Sequence, residues 1–211
     1  GQRCAHLDDC FFAKARNEAL AADVLVINHH LLFADMAIKE TGFAELLPGV
    51  DAFILDEAHQ LPEIASLFFG KSLSGRQLIE LARDTVVEQA RDAADFPVLR
   101  HRAEVVEPAV LTLRQALGAD ERRALWREAA GQPLVQEAVA GVIQALDALR
   151  EALKEAAQRG KGLESCHRRG EELAQRLLLL TGEDANPDQV RWFETWGRSF
   201  TLTQTPLDIA P

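Results

Sequence analysis

The chain has 211 residues, 47% of them apolar and 27% charged, which is enough to bury a real core and excludes wholesale disorder. Its formal charge of −10 excludes a protein that coats nucleic acid through a broadly basic surface, so any such contact has to come from a local stripe. No apolar run is long enough to span a bilayer, the opening GQRCAHLDDC has no secretion-signal pattern, and three cysteines cannot pair evenly, so a reducing, cytoplasmic compartment is expected.

Residues 10–22 place Phe11, Phe12, Ala15, Ala19 and Leu20 at helical positions, with Lys14, Arg16 and Glu18 outside them. Val24-Leu25-Val26-Ile27 is a β-branched-rich run of the buried-strand type. Asn28 is placed to cap a helix over residues 29–38. Gly42, Pro48 and Gly49 break the chain, and Ala52-Phe53-Ile54-Leu55 reads as a second buried strand. Two short apolar strands with a helix between them predict a parallel α/β sheet. From residue 74 to 186 the strand signal disappears. Val135, Val139, Val142, Leu146, Leu149 and Leu153 form one helical seam, and Leu163, Cys166, Gly170, Leu173, Leu177 and Leu180 form another. The short link Gln158-Arg159-Gly160-Lys161-Gly162 predicts an antiparallel hairpin between them. Weaker helical patterns cover 77–90 and 105–117. The tail alternates as strands do over 191–196 and 199–205, with Gly197-Arg198 as the turn.

The chemistry concentrates at Asp56-Glu57-Ala58-His59, directly after the second apolar run. A strand closing on two acids is how nucleotide hydrolases hold magnesium. In that reading Asp56 holds the Mg²⁺ of Mg-ATP, Glu57 orients the attacking water, and His59 sits near the γ-phosphate. The competing reading is a strand end with solvated acids. Cys4 and Cys10, spaced C-x5-C, are two thiolates for a zinc ion or an iron–sulfur cluster, either of which needs about four ligands. His6 is a conceivable third ligand; Cys166, on a helical seam, reads as a core thiol. His29 or His30 with Asp35, Asp56 and His59 would make a metal-dependent phosphohydrolase, although neighbouring side chains diverge. Trp192 and Trp196 share one face of a strand and are expected to pack in the core rather than stack on bases. Arg122-Arg123 and Arg168-Arg169 are expected to be solvated. The phosphate-binding loop, GxxxxGK followed by Ser or Thr, has no match, and Gly160-Lys161-Gly162 lacks its spacing. The chain starts inside a cysteine pattern and stops at Pro206-Leu207-Asp208-Ile209-Ala210-Pro211 without a finished element, so a piece of a longer protein is expected.

Cysteines, then CFFAKARNEALAADVLVINHHLLFADMAIKETGFAELLPGVDAFILDEAHQLPEIA, then a helical stretch, then TLTQTPLDIAP: this order resembles the iron–sulfur helicases of the XPD/DinG family. The C-x5-C spacing is nearer the bacterial branch than XPD itself. The resemblance implies a superfamily 2, ATP-dependent DNA helicase that translocates 5′ to 3′ and serves repair or replication. Its RecA-like, parallel-sheet motor domain is interrupted by a 4Fe–4S domain and a large all-helical arch. Residues 1–21 would be the remainder of the cluster domain, 22–74 a motor segment, 75–189 the arch, and 190–211 the return into the motor. Cys4 and Cys10 would be two of the four cluster ligands, and Asp56, Glu57 and His59 the DEAH box. Single-stranded DNA would pass through a pore beside the arch, a replication or repair protein is a further candidate partner, and no membrane is involved. Without the phosphate loop and the arginines of a second motor domain, the chain alone is expected to be inactive and to hold no stable cluster. A non-catalytic helical module that docks a partner protein is the other alternative.

Overall fold

Residues 10–40, 47–182 and 189–206 are described in the computed structural model, and the chain divides after Gly70 into two units. The first carries helix α1 (Phe11–Leu20), helix α2 (His29–Glu40), a single 3₁₀ turn (Ala58–Gln60) and helix α3 (Leu61–Phe69). Asn28 starts α2 as expected: its Oδ1 accepts the Leu31 N–H at 2.7 Å, satisfying one of the donors a helix leaves open at its start. The helices α2 and α3 share a small core of Phe33, Ile64 and Ala65, with the Phe33 and Phe68 rings stacked at 6.3 Å between centroids.

The predicted parallel sheet is not found here. Residues 24–27 and 52–55 are not strands, and the one sheet among the described residues is antiparallel throughout. The physical reason is partnership. A strand exists only when a neighbour takes its N–H and C=O groups, and the described residues set no strand beside either run. Leu25 and Ile27 are half-buried, and the other side chains of the two runs stay on the surface, with Val26 92% and Ile54 98% exposed.

The second unit is a four-helix layer backed by that sheet. Strand β1 (Lys71–Ser74) leads into helix α4 (Gly75–Asp92) and helix α5 (Pro97–Ala116). Strand β2 (Arg122–Leu125) and the short helix α6 (Trp126–Ala130) precede the long helices α7 (Pro133–Ala156) and α8 (Lys161–Thr181). Strands β3 (Gln189–Trp196) and β4 (Ser199–Pro206) close the chain as a hairpin turning at Gly197-Arg198. Helix α4 packs on α5, α5 on α7, α7 on α8, and α8 back on α4. Every residue of the two predicted seams, from Val135 to Leu153 and from Leu163 to Leu180, is buried. Gly170 permits the close crossing of α7 and α8: a Cβ there would lie 3.3 Å from Arg150 Cγ. Arg150 also bridges these helices, donating to Glu171 Oε1 at 3.0 Å and Oε2 at 2.6 Å, and this hydrogen bonding holds the Glu171 carboxyl below its ordinary pKa.

The stretch expected to be all-helical contains β2. Its partner lies some seventy residues on: the register sets Arg122 opposite Thr195 and Leu125 opposite Trp192. The strand order is β1-β4-β3-β2. Leu73, Leu202, Phe200 and Phe193 point from the sheet into the helices and are fully buried. Trp192 and Trp196 are on the opposite face, so the expectation that they pack in the core is corrected.

Helix α4 opens with a capping box. Ser74 Oγ accepts the Gln77 N–H at 3.3 Å, and Gln77 Oε1 accepts the Ser74 N–H at 2.8 Å. Ser74→Ala is expected to lower stability by about 1 kcal/mol, read as a shift in the urea midpoint.

Candidate active site

Residues 51–60 lie on the surface. The chain reverses at Glu57, whose φ of 48° and ψ of 42° put it in the left-handed region; no other non-glycine residue among those described has a positive φ. That conformation crowds Cβ against the following carbonyl and costs roughly 1–2 kcal/mol. Two local bonds hold it. Asp56 Oδ1 accepts the Glu57 N–H at 2.9 Å, and the Gln60 N–H reaches back to the Glu57 carbonyl at 2.9 Å to close the 3₁₀ turn. His59 then comes round to Glu57, its Nδ1 at 3.2 Å from Glu57 Oε2. Strained backbone of this kind clusters at functional sites.

Asp56, Glu57 and His59 are thus brought together on one exposed turn. Adjacent carboxylates, neither held in a buried ion pair, suit Mg²⁺, which takes one or two protein carboxylates alongside phosphate oxygens. The donor set therefore fits Mg²⁺ bound together with phosphate oxygens.

The other candidates separate. Cys10 immediately precedes α1 as a free thiol, while Cys4 and His6 lie outside the described residues. Cys166 is buried, and that burial pushes its thiol pKa up, as befits a packed core group. The phosphohydrolase set does not assemble: Asp35 is buried and accepts the Leu47 N–H at 3.0 Å, and His30 meets the Phe68 ring edge-on. Among the described residues no group of three or more His, Cys, Asp or Glu side chains stands together for a metal. The sequence offered Asp35 only as a metal ligand; its use as a buried acceptor for a backbone N–H twelve residues on was not legible, since an acid in an amphipathic helix looks solvated until its backbone partner is known. Of the arginines, Arg169 pairs with Asp84 at 2.5 Å, while Arg122 and Arg123 lie over the rings of Phe193 and Trp192.

A looser phosphate-loop pattern, with alanine in first place, runs through residues 65–72 to Gly70-Lys71-Ser72. Its context is reversed. A phosphate loop joins a strand to a helix N-terminus, whose N–H groups attract the anion. Here the chain leaves the C-terminus of α3 and enters β1, with Lys71 in register with Gln204.

Known helicases resemble this chain, two of them along its whole length and one along half of it. The chain is similar to the ATP-dependent DNA helicase YoaA of Escherichia coli, 39% identical over 210 residues, and to YoaA of Haemophilus influenzae, 39% identical over 211 residues. It spans 33% of the length of each. It is also 35% identical over 114 residues to the ATP-dependent DNA helicase DinG of Photobacterium profundum, covering 50% of this chain and 16% of that protein. No family model matches the chain. No described helix is long and apolar enough to cross a membrane.

Proposed function

We propose that the chain is part of an ATP-dependent DNA helicase of superfamily 2 that moves 5′ to 3′ and separates strands during repair or replication in the cytoplasm. The observation that carries this reading is the match of the entire chain to two ATP-dependent DNA helicases. The turn holding Asp56, Glu57 and His59 supports it from the side of chemistry. Asp56 holds Mg-ATP, Glu57 orients and polarises the attacking water, and His59 sets the Glu57 carboxylate and couples the turn to the rest of the motor. The metal supplies charge neutralisation at the phosphates.

In this reading residues 24–27 and 52–55 become inner strands of a parallel, RecA-like sheet when the rest of the protein lies beside them, which accounts for apolar side chains left on the surface. Residues 1–21 belong to the cluster domain, with Cys4 and Cys10 as two of its four ligands. The helices after residue 75 form the arch, and the tail leads back to the motor. Single-stranded DNA passes beside the arch, whose outer helices also offer a face to a replication or repair protein. The chain by itself does not turn over ATP.

Duplexes with a single-stranded tail test the direction. The full-length protein is expected to unwind a 5′-tailed duplex at least tenfold faster than a 3′-tailed one. Equal rates on both would sink the polarity.

A further inference from the structure

The turn that carries Asp56 and Glu57 is exposed, and the bonds that shape it are local ones. Its place is set from α2, on both sides. Downstream, the 3₁₀ turn runs straight into α3, whose Ile64 and Ala65 pack with Phe33 of α2, with Leu61 and Met36 alongside. Phe68 of α3 also meets two rings of α2, stacking with Phe33 at 6.3 Å and lying edge-on to His30 at 6.1 Å. Upstream, Asp35 of α2 accepts the Leu47 N–H at 3.0 Å. Residues 48–60 thus form a loop with both ends fixed to one helix, by a hydrogen bond at Leu47 and by apolar packing from Leu61 onward.

The hydrogen-bonded end is built from an unusual residue. Asp35 is 3% exposed, more buried than Leu32 at 9% or Phe33 at 7% on the same helix. Taking a carboxylate out of water is costly unless hydrogen bonds replace its hydration. A helix that needed only packing at this point would carry an apolar side chain. The bond also falls where the direction of the chain is decided. Pro48 follows Leu47, so Leu47 is biased away from helical backbone and Pro48 has its φ locked at about −65°. Fixing the Leu47 N–H ahead of a stiff residue fixes the line on which the chain leaves for Asp56. The bond lies before residues 52–55, so it acts in the same way whether that run is exposed or paired in a sheet.

We propose that Asp35 is a positioning residue for the Asp56–Glu57 turn. Through the Leu47 N–H it sets where the two carboxylates stand against Mg²⁺ and the phosphates, and it acts through the loop, not on the nucleotide. The inference deepens the proposed reading of that turn as the Mg-ATP site and rests on it.

The test uses the full-length protein and DNA-stimulated ATP hydrolysis, with turnover expressed per active site and measured across a Mg²⁺ titration. Asp35→Ala is expected to lower turnover about 10²-fold, the cost of a misplaced catalytic group. It is expected to raise the Mg²⁺ concentration for half-maximal rate about tenfold, as loss of an outer support of a metal site does. Asp35→Asn keeps an oxygen of the same reach for the Leu47 N–H and is expected to restore most of both. Asn28→Ala removes the cap of α2 and neither anchor, so it is expected to lower the melting temperature while turnover and Mg²⁺ dependence stay as in the parent. Hydrogen exchange in the unaltered protein gives a readout that needs no variant to fold. Coupling between two sites is reciprocal, so the Leu47 amide is expected to exchange more slowly once Mg²⁺ and a non-hydrolysable ATP analogue are added. The proposal is overturned if folded Asp35→Ala keeps the parent's turnover and Mg²⁺ dependence, if Asp35→Asn is as impaired as Asp35→Ala, or if nucleotide leaves exchange at Leu47 unchanged. The reading of the turn fails separately, by a parent protein that does not hydrolyse ATP or by a Glu57→Gln variant that hydrolyses it normally.

Discussion

Glu57→Gln in the full-length protein is expected to cut DNA-stimulated ATP hydrolysis by about 10²–10⁴-fold while leaving the fold and nucleotide binding in place. The magnitude is that of a group positioned to take a proton in the transition state. Glutamine has the same shape and still accepts a hydrogen bond, but it cannot polarise water as a carboxylate does. Stability should hardly move. Glu57 is exposed, its pairing with His59 is a solvent-side contact, and exposed ion pairs contribute about 0–1 kcal/mol. The left-handed backbone at this position is no worse for glutamine than for glutamate. The measurement is steady-state hydrolysis with single-stranded DNA present, set beside the melting temperature of the same two proteins. Hydrolysis within threefold of the parent's would remove Glu57 from the chemistry. The helical unit would then be the working part of the protein, as a docking module.

The largest effect on stability is expected from Phe193→Ala. Phe193 is fully buried where the sheet meets the helices. It lies opposite Ala124 on one side and Leu202 on the other, with the Trp126 ring edge-on at 6.4 Å and the Arg122 guanidinium at 5.1 Å. Truncation removes the ring's transfer free energy and leaves a cavity that strands on both sides hold open, a loss of about 3–5 kcal/mol. Urea unfolding followed by circular dichroism should show an earlier loss of the helical unit. Val87→Ala, on the exposed side of α4, should stay within about 0.5 kcal/mol of the parent. An equal loss from both substitutions would mean that the sheet does not anchor the helices.

These two residues mark different kinds of legibility. The Asp56–His59 turn is visible in sequence because an apolar run followed at once by two acids is a local pattern. The seams of α7 and α8 are visible for a similar reason: a stripe at helical spacing has to be buried somewhere, and the helix that carries it is stabilised by its own i to i+4 bonds. Asn28 is equally local, since its cap acts three residues away.

Strand identity works otherwise. Residues 24–27 and 52–55 have the composition of buried strands, yet composition supplies no partner, and without one they remain loops with apolar side chains in water. The converse holds for β1 and β2. Four residues each, with two arginines leading β2, they show little in sequence and become strands because β4 and β3 offer free edges more than a hundred and about seventy positions away. Alternation along β3 separates Trp192, Glu194 and Trp196 from Phe193 and Thr195, and that much follows from the sequence. Which set turns inward is decided only when β3 pairs with β4 and β2 and meets the helices, because the space beside Phe200, Leu202 and Trp126 is filled by a phenylalanine ring and the indoles are left facing out.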